Sequence, residues 1–580
     1  MLLIPSVQTA EAARLAFHLA PEFNGRPILL NSSDTTSSVG QSVAISRLDW
    51  LMSEFRLRQS DGKWLDAGNQ VAFLSVGKNR TNFSLPAPPP GRYDRLSFRV
   101  GLNPQLNASD PTKFGPEHPL NPVLNGLHWS WQGGYVFLAV EGRWQDGQES
   151  GGFSYHLGND HMEMRVELPL NLTLPTADPF ELRLSLDALL GGHPALRIGE
   201  NTTATHGRKG DPLAELLQTN AINAFLSVLR RKTITPQKNL IPRQVLISPR
   251  ATPYRFTYGG HLPKPRLPLD NPLTVEGVEL GRRLFHEKRM SINGSQSCSS
   301  CHQADAGFVD AGLALSKGAE GKIGNRNSMP LFNLAWKESF FWDGRAPSLR
   351  AQVLMPIQNE IEMHESLPRV HTKLIAAGYG NLFERAFGSD LVDSDRIARA
   401  LEQFLLTIVS YSSKFDQAVR NKAELTEEEK QGFYLFMTEY DPRRGLKGAD
   451  CFHCHGGPLF GNNGFANNGL DTNFPDLGLA AHTGREYDKG RFSVPSLRNV
   501  ALTAPYMHDG RFETLEEVIT HYASGVKRSP TLDPNLAKHA RPGIELSASD
   551  QKALVAFLKT LTDPNLAARG LREQRTDSKR

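Results

Sequence analysis

The chain has 580 residues, and at ~150 residues per domain this length predicts roughly three to four domains. Its net charge of +4 at pH 7 is small for such a length, which argues against nucleic acid as a partner. No stretch reaches the ~18 consecutive apolar residues of a membrane-spanning helix, so the sequence predicts no stable membrane span.

Residues 12 to about 200 contain short runs in which apolar and polar side chains alternate. Turn residues such as Ser60, Asp61 and Gly62 separate these runs. A period of two is typical of strands that bury one face. The pattern predicts an all-β domain, a sandwich or a barrel, which we place within residues 12–232. The clearest runs are Arg14–Leu19, Arg95–Val100, Tyr135–Val140 and Phe180–Leu186.

A helix is predicted at the end of this domain, over Pro212–Leu229, because apolar side chains recur there at helical spacing. They are Leu213, Leu216, Leu217 and Phe225. The following residues, 233–272, are rich in proline and are interpreted as a linker that runs across the next domain. This segment separates a β-rich half from a helical half and is therefore the main boundary.

The second half is predicted to be helical. Leu273, Leu280 and Leu284 share one apolar stripe of a segment that ends at Phe285. Asp393–Tyr411 has the same periodicity and predicts a second clear helix.

All four cysteines of the chain lie in two copies of the pattern C-x-x-C-H. In c-type haem attachment, two thiols bond to the porphyrin vinyl groups and the adjoining imidazole ligates the iron. A zinc site or a redox dithiol would leave the adjoining His unexplained twice. We therefore predict two covalently bound c-type haems in two mainly α, cytochrome c-like domains, residues 273–415 and 416–565. The attachment residues are Cys298, Cys301, His302, Cys451, Cys454 and His455.

Covalent haem predicts a periplasmic location, because bacterial c-type cytochromes mature outside the inner membrane. A complete secretory signal has a basic segment followed by a longer apolar one. Met1–Ala10 has only a short apolar stretch, with Pro5 inside it and no basic residue. We interpret this start as truncated or misassigned.

Five segments of the helical half carry a resemblance to a known family. They are Leu280–Phe285, Arg326–Pro330, Phe341–Arg345, Val494–Asn499 and Leu502–Gly510. With these segments, the half resembles the bacterial di-haem cytochrome c peroxidase and MauG family. The resemblance implies that the first haem, with His302 as proximal ligand, is high-spin and reacts with peroxide. It also implies that the second haem, held by His455, is a low-spin electron relay.

The same resemblance implies roles for residues between the two haem motifs. Trp342 takes the place of the tryptophan between the haems, where its indole offers an oxidisable π-system. Gln352 and Glu362 follow at the spacing of the distal Gln and Glu, and Pro356 falls at a distal-pocket position of MauG-like members. A carboxylate in a water-poor pocket suits proton transfer during O–O cleavage. Other glutamates lie nearby, so only the spacing singles out Glu362.

The distal sides of the two haems are predicted to differ. The segment Gln303–Met363 contains no His, whereas many peroxidases of the family rest with a distal His on the first haem. The first haem is therefore expected to be five-coordinate and ready at rest, as in MauG-like members. For the second haem, alignment with the family implies Tyr522 as the distal ligand, and Met507 is the competing candidate. A Tyr ligand favours high-valent iron, whereas a thioether ligand raises the potential.

The resemblance also implies a calcium ion between the two haem domains. Asn327, Thr503 and the carbonyl of Pro505 match the positions that hold this ion in the family.

The N-terminal half resembles another family, through His118–Leu120, Gly126–Phe137 and Phe153–Gly158. These segments are similar to MbnP, a family of periplasmic β-rich copper proteins encoded beside MauG-like partners. In that family a Trp is oxidised to kynurenine and helps to bind copper. Imidazoles suit copper, but the sequence leaves open which of them converge. The candidate copper ligands are His18, His118, His128 and His156, and the candidate oxidised residues are Trp129 and Trp131.

Together these patterns predict a periplasmic di-haem oxidoreductase that uses hydrogen peroxide to oxidise a Trp of its own N-terminal domain, which prepares a copper site. Two alternatives stay open at this point. The first is a conventional di-haem cytochrome c peroxidase that takes electrons from a small cytochrome c or a cupredoxin. The second is a copper-binding protein whose haems only transfer electrons.

Overall fold

The chain forms two compact units. The computed structural model describes residues 14–32, 35–129, 133–174, 179–192, 194–199, 201–230, 245–442 and 445–571. The first unit, here the β unit, comprises the described residues of Met1–Pro111, His118–Asn239 and Pro534–Ala540. The second, the helical unit, comprises those of Thr112–Glu117, Leu240–Asp533 and Arg541–Arg580. Among the residues so described, no helix is long and apolar enough to cross a membrane.

The β unit contains a five-stranded and an eight-stranded sheet. The smaller sheet has the order β13-β11-β1-β2, with β6 also paired to β1, and the larger has the order β10-β7-β3-β8-β9-β12, with β4 and β5 paired to β3. The strands are β1 (Arg14–Phe23), β2 (Arg26–Pro27), β3 (Ser42–Gln59), β4 (Trp64–Asp66), β5 (Ala72–Ser75), β6 (Asn82–Pro86), β7 (Gly91–Val100), β8 (Val136–Asp146), β9 (Glu149–Gly158), β10 (Met164–Leu174), β11 (Phe180–Ser185), β12 (Ala204–Thr205) and β13 (Phe225–Arg230).

Strands of these sheets bury alternate side chains, and the buried faces of the two sheets pack against each other. Along β10 every second side chain from Met164 to Leu174 is buried, as a strand with one inward face requires. Aromatic rings then connect the two inward faces. Phe17 stacks on Phe83 within the smaller sheet at 5.0 Å, and Phe55 of the larger sheet lies 5.3 Å from Phe83. The predicted all-β domain is confirmed, and it consists of two packed sheets.

The predicted helix over Pro212–Leu229 is wrong in its second part. The helix ends at Asn223, and the chain then forms β13, which pairs antiparallel with β11. The ring of Phe225 meets Phe98 edge-on at 5.1 Å. Pairing with a sheet edge and burial of this ring override the helical spacing. The helices of this part of the unit are α1 (Pro104–Asn107), α2 (Pro122–Asn125), α3 (Leu186–Gly191) and α4 (Pro212–Asn223).

The rest of the described chain is mainly helical, as predicted. Its elements are α5 (Val275–Phe285), α6 (Cys298–Cys301), α7 (Leu349–Gln352), α8 (Met355–Gln358), α9 (Leu367–Ala376), α10 (Gly380–Phe387), α11 (Ser394–Leu406), α12 (Lys414–Val419), α13 (Glu427–Met437), β14 (Tyr440–Asp441), β15 (Leu446–Lys447), α14 (Phe452–His455), β16 (Phe465–Ala466), α15 (Ala480–Thr483), β17 (Phe492–Ser493), α16 (Leu515–Thr520), α17 (Pro534–Ala537, in the β unit), α18 (Ala548–Lys559) and α19 (Leu566–Leu571).

One helix crossing occurs twice in the helical unit. A Cβ at Gly281 of α5 would lie 1.9 Å from the carbonyl oxygen of Ala400 in α11. A Cβ at Gly432 of α13 would lie at the same 1.9 Å from the carbonyl oxygen of Ala553 in α18. Only glycine lets helices approach so closely. Each crossing brackets one C-x-x-C-H motif in sequence, so the unit repeats one helical arrangement around each predicted haem. The exact limits 273–415 and 416–565 stay a prediction.

Helix α11 ends at Leu406, five residues before the predicted end at Tyr411. After the helix, the backbone N–H of Ser410 donates to Oδ1 of Asn333 at 2.8 Å instead of continuing the helical pattern. The described part of the predicted linker, residues 245–272, lies along the helical unit. The indole N–H of Trp336 donates to the Pro263 carbonyl at 2.9 Å.

Candidate functional site

The two histidines of the C-x-x-C-H motifs are oriented in the same way. Nδ1 of His302 donates to the Phe308 carbonyl at 2.8 Å, and Nδ1 of His455 donates to the Pro495 carbonyl at 3.1 Å. A carbonyl only accepts, so each ring carries its proton on Nδ1 and its lone pair on Nε2. Burial lowers the pKa of His455 to about 4 and also lowers the pKa of His302. Both rings are therefore neutral at neutral pH, and each could ligate a metal through Nε2.

The four cysteines form no disulfide with one another. Burial raises the pKa of Cys298 and of Cys451 to about 12. Two thiols and one imidazole with its lone pair on Nε2 are what a covalently attached haem requires at each motif. The residues present fit two haem groups.

Three glutamates lie near one another after the first motif, and their surroundings separate them. Glu360 is exposed. Burial is the largest single influence on the pKa of Glu365 and favours a raised value, but the hydrogen bonds from Lys373 and from the Ser366 N–H, with the charges of Lys373 and Arg369, together lower that pKa below the ordinary value. In contrast, burial raises the pKa of Glu362, and Nδ2 of Asn359 donates to its Oε1 at 2.7 Å. Glu362 therefore has the raised pKa expected of a proton-transfer group, whereas the pKa of Glu365 is lowered.

Glu362 also lies beside the first haem motif. Burial is the main cause of the raised pKa values of Cys298 and Cys301, and the negative charge of Glu362 adds to both. Pro356 lies in α8, just before Glu362. Its carbonyl accepts from the backbone N–H of Met363, the residue after Glu362, at 3.2 Å. Gln352 ends α7 one turn earlier and is half-buried. The structure thus places the predicted distal residues in consecutive turns.

Trp342 is held between segments that follow the two haem motifs. Its indole N–H donates to the carbonyl of Asn327 at 2.9 Å, and its own carbonyl accepts from the backbone N–H of Ser493 at 2.8 Å. The adjacent Asp343 pairs with Arg326 at 2.7 Å, and Arg326 also pairs with Asp476 at 2.7 Å. These bonds fix the indole at the junction of the two halves of the helical unit.

Both candidates for the distal ligand of the second haem contact the side-chain amide of Asn468. Nδ2 of Asn468 is 3.3 Å from the sulfur of Met507 and 3.5 Å from the hydroxyl of Tyr522. Burial raises the pKa of Tyr522, and the nearby thiols Cys454 and Cys451 contribute to this. Tyr522 lies in a π-helical turn, a feature frequent at functional sites. Two candidate ligands therefore converge, and the choice between them stays open.

The predicted calcium residues lie on two neighbouring segments. Nδ2 of Asn327 donates to the carbonyls of Leu313 and Ala314 at 3.3 and 3.1 Å, and its backbone N–H donates to the His508 carbonyl. The methyl group of Thr503 is 2.9 Å from the position that a Cβ at Gly307 would take. Calcium binding by Asn327, Thr503 and Pro505 stays a prediction.

A second candidate site lies in the β unit, where one indole and two imidazoles meet. The ring centroids of Trp129 and His206 are 5.4 Å apart, those of Trp129 and His156 are 6.1 Å apart, and those of His156 and His206 are 5.2 Å apart. A Cβ at Gly158 would lie 3.1 Å from the indole nitrogen, so the glycine leaves room for the ring. This cluster combines an oxidisable ring with two soft-metal ligands.

A carboxylate orients one of these imidazoles. Nε2 of His156 donates to Oε1 of Glu141 at 2.9 Å, and Arg47 pairs with the same oxygen at 2.9 Å. Burial is the main cause that lowers the pKa of His156 to about 4. The ring is therefore neutral at neutral pH, with its lone pair on Nδ1.

The other predicted copper ligands make the following contacts within the β unit. Nδ1 of His18, on β1 of the smaller sheet, is 2.9 Å from Oδ1 of Asn82. Nδ1 of His118 accepts from the backbone N–H of Leu120 at 3.1 Å. The ring of His128 packs edge-on against Tyr135 at 4.6 Å, and burial lowers its pKa to about 4. Trp131 lies outside the described residues.

His206 was missed in the sequence because nothing local to it indicates a site. It follows β12, which pairs parallel with β9 in the register Thr205 to Tyr155. The next pair in this register is His206 and His156. Only the strand pairing, which joins segments about fifty residues apart, brings the two imidazoles together.

Comparison with known proteins gives matches for both halves. The family described as Di-haem cytochrome c peroxidase matches residues 275–424, and the family described as MbnP matches residues 12–206. The chain is 36% identical over 322 residues to the methylamine utilization protein MauG of Methylorubrum extorquens, covering 53% of this chain and 83% of that protein. It is 35% identical over 298 residues to the cytochrome c551 peroxidase of Nitrosomonas europaea, covering 50% and 81%. A crystal structure of a MauG-like protein associated with microbial copper homeostasis is 34% identical and covers 55% of this chain and 99% of that chain, with a TM-score of 0.49.

Proposed function

Because the chain belongs to the di-haem cytochrome c peroxidase and MauG family and carries an MbnP region, we propose that it uses hydrogen peroxide to oxidise Trp129 of its own β unit. It is a di-haem peroxidase-type oxidoreductase, the class of its relatives. The proposed product of Trp129 oxidation completes a copper site in the periplasm. The observation that carries this proposal is the contact of Trp129 with His156 and His206 in a chain that also carries the haem motifs.

Glu362 is the proposed proton-transfer group. The first haem supplies the redox chemistry when bound, since it accepts the oxidising equivalents of peroxide. With the haem bound, the Glu362 carboxylate would take the proton from one oxygen of hydrogen peroxide and return it to the other, which would leave as water. The hydrogen bond from Asn359 holds one carboxylate oxygen, which directs the other toward the substrate. Gln352 and Pro356, in the short helices α7 and α8 that precede Glu362, are the other proposed distal residues.

Trp342 is the proposed relay between the two haems. Its indole N–H is held by the Asn327 carbonyl, which fixes the ring plane. A carbonyl accepting from the indole nitrogen also stabilises the positive charge that develops when the ring loses an electron. Oxidising equivalents can then be shared between the two haems instead of being stored at one.

The chemistry at Trp129 balances with peroxide alone. Two molecules of hydrogen peroxide each take up two electrons, donate one oxygen atom to the opened indole ring, and release one water. The product is N-formylkynurenine, and hydrolysis releases formate and leaves kynurenine. This product carries an aromatic amine and a ketone in place of the indole, next to His156 and His206. Nitrogen and oxygen donors beside two imidazoles suit copper.

Replacing Trp129 with Phe should abolish the peroxide-dependent gain in copper affinity, because a phenyl ring cannot yield the amine and ketone donors.

Glu141→Gln should weaken copper binding by ~10–100-fold, as expected when an outer partner of a ligating His is changed. Copper bound per chain is measured after peroxide treatment and desalting.

The matched control is Trp64→Phe, since Trp64 is a half-buried indole packed against Arg56 and Arg58. It should behave like the unaltered protein. Equal copper affinity before and after peroxide in the unaltered protein would contradict the proposal, and rapid turnover of a reduced small cytochrome under those conditions would instead support a conventional peroxidase.

A further inference from the structure

Lys337 differs from the buried arginines Arg350 and Arg498 of the helical unit. Arg498 is fully buried and pairs with Asp416 at 2.8 Å, and Arg350 pairs with Glu402 at 2.6 Å. Lys337 is half-buried, and its ammonium end is enclosed by protein. It donates to a neutral group, the hydroxyl of Ser493, at 3.0 Å. Within the described part of the chain, no carboxylate lies within 4.0 Å of this ammonium.

This arrangement leaves a charge without a counter-charge from the protein. Burial lowers the pKa of Lys337 to about 8, and no opposite charge raises it again. At neutral pH the side chain is still largely protonated. An ammonium removed from water without an anion is strongly disfavoured, so buried cations are kept where an anion meets them.

The backbone around Lys337 is fixed on both sides. Nδ2 of Asn463 donates to the carbonyl of Trp336 at 3.0 Å, and the backbone N–H of Glu338 donates to Oδ1 of the same Asn463 at 3.3 Å. Lys337 therefore extends from a clamped segment toward Ser493 rather than from a free loop. Such a side chain loses little further freedom when it binds an anion.

The position of Ser493 indicates which anion this is. Ser493 ends β17, and its backbone N–H donates to the carbonyl of Trp342. Two residues further on, the Pro495 carbonyl accepts from Nδ1 of His455, the proximal ligand of the second haem. The ammonium therefore lies next to the segment that orients this ligand. Each haem c carries two propionate side chains, which are carboxylates and are not part of the polypeptide.

We propose that Lys337 and Ser493 form a carboxylate site that holds a propionate of the second haem. The ammonium and the hydroxyl donate to the propionate oxygens, as charge-assisted hydrogen bonds. A fixed positive charge beside this haem stabilises its reduced form and so raises its reduction potential. The inference rests on the presence of two haems but not on the modification of Trp129.

Replacing Lys337 with Met tests the site in the haem-loaded full chain. We expect the propionate bending band of the second haem to shift in the resonance Raman spectrum and its midpoint potential to fall, with the first haem unchanged. Lys337→Arg should keep both readouts near those of the unaltered protein. Ser493→Ala removes only one donor and should give a smaller band shift in the same direction.

The matched control is Lys489→Met, since Lys489 pairs with Glu486 at the surface. It should change neither readout. A Lys337→Met protein with unaltered band and potentials, or with changes confined to the first haem, would overturn the assignment. Haem content by pyridine haemochrome is determined first, because a chain with fewer than two haems would refute the di-haem premise rather than the lysine site.

Discussion

Replacing Glu362 with Gln is expected to slow the reaction of the protein with hydrogen peroxide by ~10²–10⁴-fold, the usual contribution of a positioned acid-base group. An amide keeps the shape and can still accept the hydrogen bond from Asn359, but it cannot take up a proton. Both haems should remain attached, because neither C-x-x-C-H motif is altered. Stopped-flow spectra of the haems after addition of peroxide measure the rate.

The pH dependence of this reaction provides a second readout. Burial raises the pKa of Glu362, so its carboxylate becomes protonated at a higher pH than an exposed glutamate. The active form is the carboxylate, and the rate should therefore fall as the pH decreases through this raised pKa. The Glu362→Gln protein should lack this dependence.

Glu360→Gln is the matched control, because Glu360 is an exposed carboxylate two residues away. It should react with peroxide at the rate of the unaltered protein, and its rate should still fall as the pH decreases. Full reaction of the Glu362→Gln protein would remove this residue from the mechanism.

Replacing Trp342 with Phe is expected to disconnect the two haems. Peroxide should still react at the first haem, but the spectral change of the second haem should be slower by ~10-fold or more, about 1.4 kcal/mol in activation free energy. The reason is that phenylalanine is much harder to oxidise than an indole and has no N–H for the Asn327 carbonyl. Stopped-flow traces at wavelengths specific to each haem separate the two steps.

Trp336→Phe is a close control, since the Trp336 indole also donates to a backbone carbonyl at 2.9 Å in the same unit. It should leave both phases unchanged. If the two haems respond together in the Trp342→Phe protein as fast as in the unaltered one, electrons do not pass through this residue.

The haem-attachment residues could be predicted from sequence because the chemistry is local. Two thiols and one imidazole within five residues suffice, and tertiary structure only adds the carbonyls of Phe308 and Pro495 that orient the rings. The choice of Glu362 among the nearby glutamates needed tertiary structure as well. The spacing indicates Glu362. What distinguishes it from Glu360 and Glu365 is its burial and the position of Lys373 beside Glu365, and neither can be read from the sequence.

Other features depend on contacts between distant segments and could not be predicted. His206 joins His156 only through the parallel pairing of β12 with β9. Phe225 fits a helical pattern, yet it enters a strand because an edge of the smaller sheet and the ring of Phe98 are available. Lys337 is an ordinary polar residue in sequence, and only the contact of its ammonium with Ser493 distinguishes it. In each case long-range packing decides over the local pattern.

The central claim is tested most directly by the mass of the proteolytic peptide that contains Trp129, compared in the haem-loaded protein before and after hydrogen peroxide. The account predicts a gain corresponding to two oxygen atoms, or a kynurenine-sized change after loss of formate, located by fragmentation at Trp129 and absent from the Glu362→Gln protein. An unmodified Trp129 peptide from a protein that carries both haems and consumes peroxide would contradict it.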